Sequence, residues 1–133
     1  FNLGSINIDY IYKLPRLLAA GETLASTSFS TTLGGKGANQ SIALARAGAD
    51  VRHAGQLHEA DTAWLDGLRE AGVDCSNILA ADISSGHAVV AVDEQTAENQ
   101  IILSPGSNQA LPSELIAPSR PGAPSLEKFT SFI

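Results

Sequence analysis

The sequence predicts an α/β fold with an antiparallel accessory piece, and three observations carry that prediction. Strand-like and helix-like segments alternate over residues 1–112. A glycine cluster, Gly34-Gly35-Lys36-Gly37, stands between a β-rich stretch and a helix-patterned one, as in a strand-turn-helix unit. Two later β-rich runs, separated only by a polar spacer, read as a hairpin. With 133 residues, 44% of them hydrophobic, the chain can bury the core of one domain, and disorder of the whole is excluded.

Each element follows from its residues. Phe1 to Ile6 is a short apolar run in the company of Gly4 and Ser5, which predicts a buried strand with Asn7 and Asp9 at its carboxyl end. After Pro15, Ala25 to Leu33 is rich in Ser and Thr with Phe29 and Leu33 four apart, the composition of a half-exposed strand. The glycines interrupt it. From Ala38, the apolar positions Ile42, Leu44 and Ala45 and the stop at Gly48 describe a helix closed by a C-terminal glycine. Val51 to Leu57 predicts the next strand. Asp61 then reads as the N-cap of a second helix that carries Trp64, Leu65, Leu68 and Ala71 and ends at Gly72. Gly86 to Asp93 and Asn99 to Leu103 are the hairpin strands, with Glu94 to Glu98 as their loop. Pro112, Pro118, Pro121 and Pro124 crowd residues 112–125, which read as loop.

Composition narrows the function classes. Eight Lys plus Arg against fourteen Asp plus Glu give a formal charge of -6, which repels nucleic-acid backbones and anionic lipid surfaces. The single cysteine, Cys75, makes no internal disulfide and no Cys-rich metal site, so a reducing compartment, the cytoplasm, is expected. No run approaches the roughly 18 apolar residues of a membrane span. The chain opens without Met on Phe1-Asn2-Leu3, which reads as a strand already under way with sequence missing before it.

The most informative stretch is Leu33 to Gln40. Three glycines in four positions let backbone approach a ligand, and the helix that starts there aims N–H groups at an oxygen-rich partner. Lys36 adds a cation, and Asn39 adds a donor and an acceptor suited to a sugar hydroxyl. A P-loop is excluded because Gly37, not Ser or Thr, follows the lysine. An ordinary glycine turn with a solvated lysine is the plain alternative. Asn7 and Asp9, two apart, share a face if the strand continues, so an amide and a carboxylate converge on one polyol. Taken alone, Asn-x-Asp is more often a turn signal. Together with the glycine turn it points to a pocket at the ends of adjacent strands.

Gly4-Ser5-Ile6-Asn7-Ile8-Asp9, Gly21-Glu22-Thr23, Gly34 to Gln40, Ala71-Gly72-Val73-Asp74, Gly86-His87-Ala88 and Pro105-Gly106-Ser107-Asn108, in that order, resemble the amino-terminal part of ribokinase and its PfkB-type sugar-kinase relatives. The resemblance covers residues 3–111. It implies a ribokinase-like fold, with part of a parallel βαβ core in residues 1–111 and a small antiparallel β-sheet lid from residues 10–33 and 86–103. It also implies an ATP-dependent kinase that phosphorylates a sugar hydroxymethyl group, D-ribose foremost, with Mg²⁺ and K⁺, as a homodimer paired through the lid. Carried over residue by residue, Asn7, Asp9, Gly35, Lys36, Gly37 and Asn39 hold the sugar. The family's base aspartate, preceded by a glycine anion hole at a helix start, has no match here, so no catalytic residue is assigned. Ala47-Gly48-Ala49-Asp50 imitates that motif but follows a helix, where the dipole disfavours a carboxylate. Ala117 to Ser125 and the ending Phe129 to Ile133 resemble the family's extreme carboxyl end, with Ala117, Arg120, Gly122 and Ser125 at a monovalent-cation loop, although the spacing is one residue short and Pro118 departs from the pattern. Residues 112–133 read equally as a proline-rich disordered tail. The chain is thus expected to be an incomplete kinase, inactive as 133 residues alone. The competing reading is a non-catalytic sugar-binding or dimerisation module of the same fold.

Other candidates carry less. His53, His58 and His87 show no metal-ligand spacing and are expected to be structural or surface histidines. His58-Glu59-Ala60-Asp61 stands where relatives have a Gly-Asp-rich turn. Trp64 is expected in the core, and Cys75, with no basic neighbour in sequence, is expected to be inert.

Overall fold

The computed structural model describes residues 1–111, which form two sheets and two short helices. Strands β1 (Asn2–Leu3), β4 (Arg52–His58) and β5 (Asp74–Ala81) make a parallel sheet in the order β1-β4-β5. Strands β2 (Asn7–Leu14), β3 (Ser28–Gly34), β6 (Gly86–Asp93) and β7 (Asn99–Ser104) make a second sheet in the order β3-β2-β6-β7. Helix α1 (Lys36–Arg46) connects β3 to β4; a 3₁₀ turn (Glu59–Leu65) and helix α2 (Asp66–Glu70) connect β4 to β5. A second 3₁₀ turn, Gly106–Gln109, follows β7.

The core forms where α1 and α2 meet the parallel sheet. Ile6, Ala38, Val51, Leu57, Leu65, Leu68 and Val73 are buried in one cluster, with Leu33, Ile42, Ala45, Cys75 and Ile78 packed on its edge. Truncating a fully buried member such as Leu68 to Ala costs about 2–5 kcal/mol on general grounds, because the cavity adds to the lost transfer energy. Gly48 and Gly72 adopt left-handed φ of 90° and 89° after the two helices, the stops expected of C-terminal glycines.

Five expectations are corrected. The opening run is not one strand: β1 ends at Leu3, and Asn7 and Asp9 begin β2 in the other sheet. The break comes from long-range partners, since Gly4 N donates to Ala54 O and both backbone groups of Ile6 pair with the Asn108 side chain. The second sheet is mixed, not antiparallel throughout, because β2 and β6 run parallel from Asn7 opposite Gly86 to Leu14 opposite Asp93. The expected helix from Asp61 is mostly a 3₁₀ turn whose cap is His58, its Nδ1 accepting from Ala60 N at 3.1 Å. Asp61 instead accepts from Ser85 Oγ at 2.6 Å, which diverts its side chain from capping. Strand β5 has no counterpart in the sequence reading, and Trp64 is half-buried outside the core cluster. The hairpin β6–β7 is as expected, its turn tied by Asp93 Oδ1, which accepts from Gln95 N and Thr96 N at 2.7 and 3.1 Å.

Candidate functional site

The site is built where the chain crosses from one sheet to the other. Gly35 caps α1 at φ 94°, a left-handed value that suits glycine, and any Cβ there would meet Ser5 O at 2.5 Å and Asn7 N at 2.9 Å. Gly37 lies against the backbone of Gly4, where a Cβ would come within 2.5 Å of Gly4 Cα. This approach lets Ala38 N donate to Ser5 O at 3.0 Å, so the first turn of α1 is tied to the link between β1 and β2. The glycines are therefore spacers that bring Lys36 and Asn39 beside the start of β2. Lys36 and Asn39 are exposed and three apart, hence on one side of the helix.

Asn7 and Asp9 share a face of β2, as their spacing requires. The Asp9 carboxylate leans over Gly34, where any side chain would collide with it. Asp9 is half-buried, and desolvation raises its pKa. Register places Ala88 of β6 and Leu103 of β7 in the same row as Asp9, with Ile11, Val90 and Ile101 in the next. The face is thus a polar end backed by apolar rows, a surface that suits the hydroxyl and C–H sides of a polyol. The structure brings Asn7 and Asp9 into the neighbourhood of Gly35, Lys36, Gly37 and Asn39 through the Gly4–Gly37 and Asp9–Gly34 contacts.

Known proteins resemble this chain in sequence and in fold. Residues 2–120 fit the family described as pfkB family carbohydrate kinase. The chain belongs to that family. The ribokinase of Haemophilus influenzae is 33% identical over 117 residues, covering 86% of this chain and 38% of that protein. The ribokinase of Schizosaccharomyces pombe is 36% identical over 114 residues, covering 80% of this chain and 36% of the relative. The chain thus spans well under half the length of the relatives it matches. Among solved structures, Cryptococcus neoformans ribokinase in complex with ADP superposes with a TM-score of 0.78 at 35% identity, over 95% of this chain and 38% of that one. Arabidopsis thaliana ribokinase complexed with ribose and ATP gives 0.72 at 29%, over 86% of this chain and 41% of that one. The fold is ribokinase-like, a parallel sheet with a smaller mixed one.

The remaining candidates sort plainly. Asp50 lies beyond the carboxyl end of α1, as expected of an imitation motif. Ala117, Arg120, Gly122 and Ser125 lie outside the described residues. No group of three or more His, Cys, Asp or Glu among the described residues could hold a metal ion, and no helix among them is long and apolar enough to cross a membrane. Cys75 is half-buried with its thiol pKa raised, first by burial, which keeps it protonated and unreactive. His53 is fully buried and structural: Asn2 Nδ2 donates to Ser41 Oγ at 2.8 Å, Ser41 Oγ lies 2.8 Å from His53 Nδ1, and Asn2 also donates to Gly37 O at 2.9 Å. This buried chain braces the first turn of α1 from below. Sequence reading missed it, and also missed Asn108, whose amide contacts Ile6 and Asn7.

Proposed function

We propose that this chain is the sugar-binding part of an ATP-dependent sugar kinase that phosphorylates a hydroxymethyl group, with D-ribose as the substrate. The observation that carries the reading is the meeting of Asn7 and Asp9, on a sheet face with apolar rows, with the glycine turn that opens α1 and bears Lys36 and Asn39. The structures of relatives with ADP and with ribose and ATP support nucleotide and pentose chemistry here.

In this role Asp9 accepts hydrogen bonds from sugar hydroxyls, and ligand hydroxyls replace the water that burial removes from its carboxylate. Asn39 and Lys36 donate to sugar oxygens, and the apolar rows of β6 and β7 cover the C–H face. Orientation of the hydroxymethyl group is the chain's contribution to catalysis, since phosphoryl transfer depends on positioning and charge neutralisation. No group of three or more His, Cys, Asp or Glu gathers among the described residues, and the expected K⁺ loop lies outside them, so no step is routed through either ion or the nucleotide.

The opposite face of the lid carries Tyr10, Tyr12, Phe29, Val89 and Ile102 in register, with Tyr10 and Phe29 stacked at 6.5 Å and Phe29 54% exposed. Beside it Tyr12, Leu14, Leu18, Leu24, Val89 and Ala91 line a shallow cleft. This is the face through which the homodimer pairs in our reading, and the protein works in the cytoplasm, where ATP and free sugar are available.

The test is calorimetric titration of ribose into the protein that carries this chain. Asn39→Ala is expected to weaken binding by about 1–3 kcal/mol, the scale of a buried hydrogen-bonding group left unpaired. An unchanged Kd removes Asn39 from the site.

A further inference from the structure

We propose that Asn108 is a positioning residue that decides which end of the Asn7 carboxamide meets the ligand. The proposal rests on Asn7 lining the sugar pocket.

Backbone polarity fixes the orientation of both amides. Ile6 lies between β1 and β2 and has no strand neighbour; its N–H donates to Asn108 Oδ1 at 2.9 Å, and its carbonyl accepts from Asn108 Nδ2 at 3.1 Å. An N–H can only donate and a carbonyl can only accept, so Asn108 cannot be turned around without opposing like groups twice. Its Nδ2 has a second hydrogen, and Asn7 Oδ1 accepts it at 2.8 Å. Asn7 is therefore turned as well: its oxygen is spent on Asn108, and its Nδ2 is the end left to present. Asn7 thus meets a ligand as a donor, beside Asp9, which meets it as an acceptor.

The surroundings are shaped around this contact. Gly86 stands opposite Asn7 in the β2–β6 register, and a Cβ there would meet Asn7 Oδ1 at 2.5 Å and collide with Asn108 Nδ2. A side chain at 86 would displace the amide pair. Asn108 is itself anchored to the parallel sheet, because its neighbour Ser107 is fully buried, donates from Oγ to Gln56 O at 3.0 Å, and donates from N to Ser84 O at 2.9 Å. The orientation of Asn7 in the lid is thereby set from the core strand β4. A donor-acceptor pair, Asn7 with Asp9, selects a ligand with an oxygen that accepts next to a hydroxyl that donates.

Two substitutions test this in the protein that carries the chain. Asn108→Asp keeps the acceptor for Ile6 N–H but places an oxygen against Ile6 O and Asn7 Oδ1, so the Asn7 amide turns over. Ribose Kd is expected to rise about tenfold, the scale of one lost hydrogen bond to a buried group, with nucleotide Kd within about twofold. In an Asn7→Ala background the same change is expected to add less than about twofold, because residues acting through one another are not additive. Asn7→Asp retains an acceptor for Asn108 and so spares the fold, yet removes the presented donor; it is expected to lose as much affinity as Asn7→Ala. Full additivity of the pair, or wild-type affinity in Asn7→Asp, overturns the proposal. If the unsubstituted protein binds no pentose, the sugar reading falls separately. The amide pair is then decided without ligand, by the side-chain amide NMR signals of Asn7, which Asn108→Asp is expected to shift and broaden; unaltered signals overturn it.

Discussion

Asp9 and His53 are both moved off their ordinary pKa values by burial, and in both the charged form is the one disfavoured. For Asp9 the folded value lies above the unfolded one. Its ionised form therefore weakens the empty protein at neutral pH, and the penalty is relieved as pH falls through the folded value. Asp9→Asn removes that penalty together with the ligand's acceptor, so it is expected to raise Tm while weakening ribose binding. Melting curves with and without ribose check both signs; a lowered Tm without sugar would contradict the desolvation account. His53 is held down to about 4 by burial, with the Gly4 backbone pulling weakly the other way. Ser41 Oγ accepts from Asn2 Nδ2 and shares a 2.8 Å hydrogen bond with His53 Nδ1, while His53 Nε2 is buried without a hydrogen-bond partner, a setting with nothing to compensate a second ring proton. Because the folded pKa lies below the ordinary 6.5, the unfolded chain takes up the proton first and stability falls as pH drops from about 6.5 to about 4. The full loss below that window is about 3 kcal/mol, from 1.36 kcal/mol per pKa unit. Glu22 and Asp74, both lowered to about 2, lose their contribution only below pH about 4, so the two windows separate. Urea unfolding at pH 7, 5.5 and 4.5 measures the first of them, and His53→Asn is expected to flatten it.

At the scale of elements, the glycine turn and α1 were legible because their signals are local: three glycines at the start, an apolar stripe, and Gly48 as the stop. Asn7 and Asp9 were legible as a pair for the same reason, since two-residue spacing decides which face they share. The break between β1 and β2 was not, because its causes, the Ala54 carbonyl that Gly4 N meets and the Asn108 amide that holds Ile6, lie about 50 and 102 residues away along the chain. Strand β5 was hidden by polar residues, Ser76 and Asn77, within a strand that only its parallel neighbour β4 recruits. The second helix was overestimated because Asp61 looks like a cap until Ser85, brought in by the start of β6, takes its carboxylate. One element-scale consequence is measurable. Gly37→Ala drives a Cβ into the Gly4 backbone, which cannot swing aside as a side chain could, so α1 must lift from the β1–β2 link. A loss of about 1–3 kcal/mol is expected, the range for overpacking, as read by chemical denaturation. Gly48→Ala meets no atom within 4 Å and pays only for its left-handed φ of 90°, so it is expected to cost less.

At the scale of the molecule, the parallel sheet supplies the frame and the mixed sheet carries Asn7 and Asp9, with Ser107 and Asn108 linking the two. In the proposed function this division separates binding from transfer. Every site residue assigned above belongs to the sugar side, and the sequence has no aspartate preceded by a glycine anion hole at a helix start. Asp50, which imitates it, stands at the negative end of the α1 dipole, where neither an anion nor a base with a helix-stabilised charge would be favoured. Positioning and the base each contribute separately to rate, so loss of the second leaves orientation without acceleration. Residues 1–133 expressed alone are therefore expected to show no ATP-dependent phosphorylation of ribose with Mg²⁺ and K⁺ present, while a full-length ribokinase relative assayed beside them does. Coupled-assay turnover is the measurement, against a no-protein control and against Asp9→Asn. Turnover by the 133 residues that Asp9→Asn abolishes would place the base within this chain, among Asp50, Asp61, Asp82 and Asp93, and the division between the two halves of the chemistry would have to be redrawn.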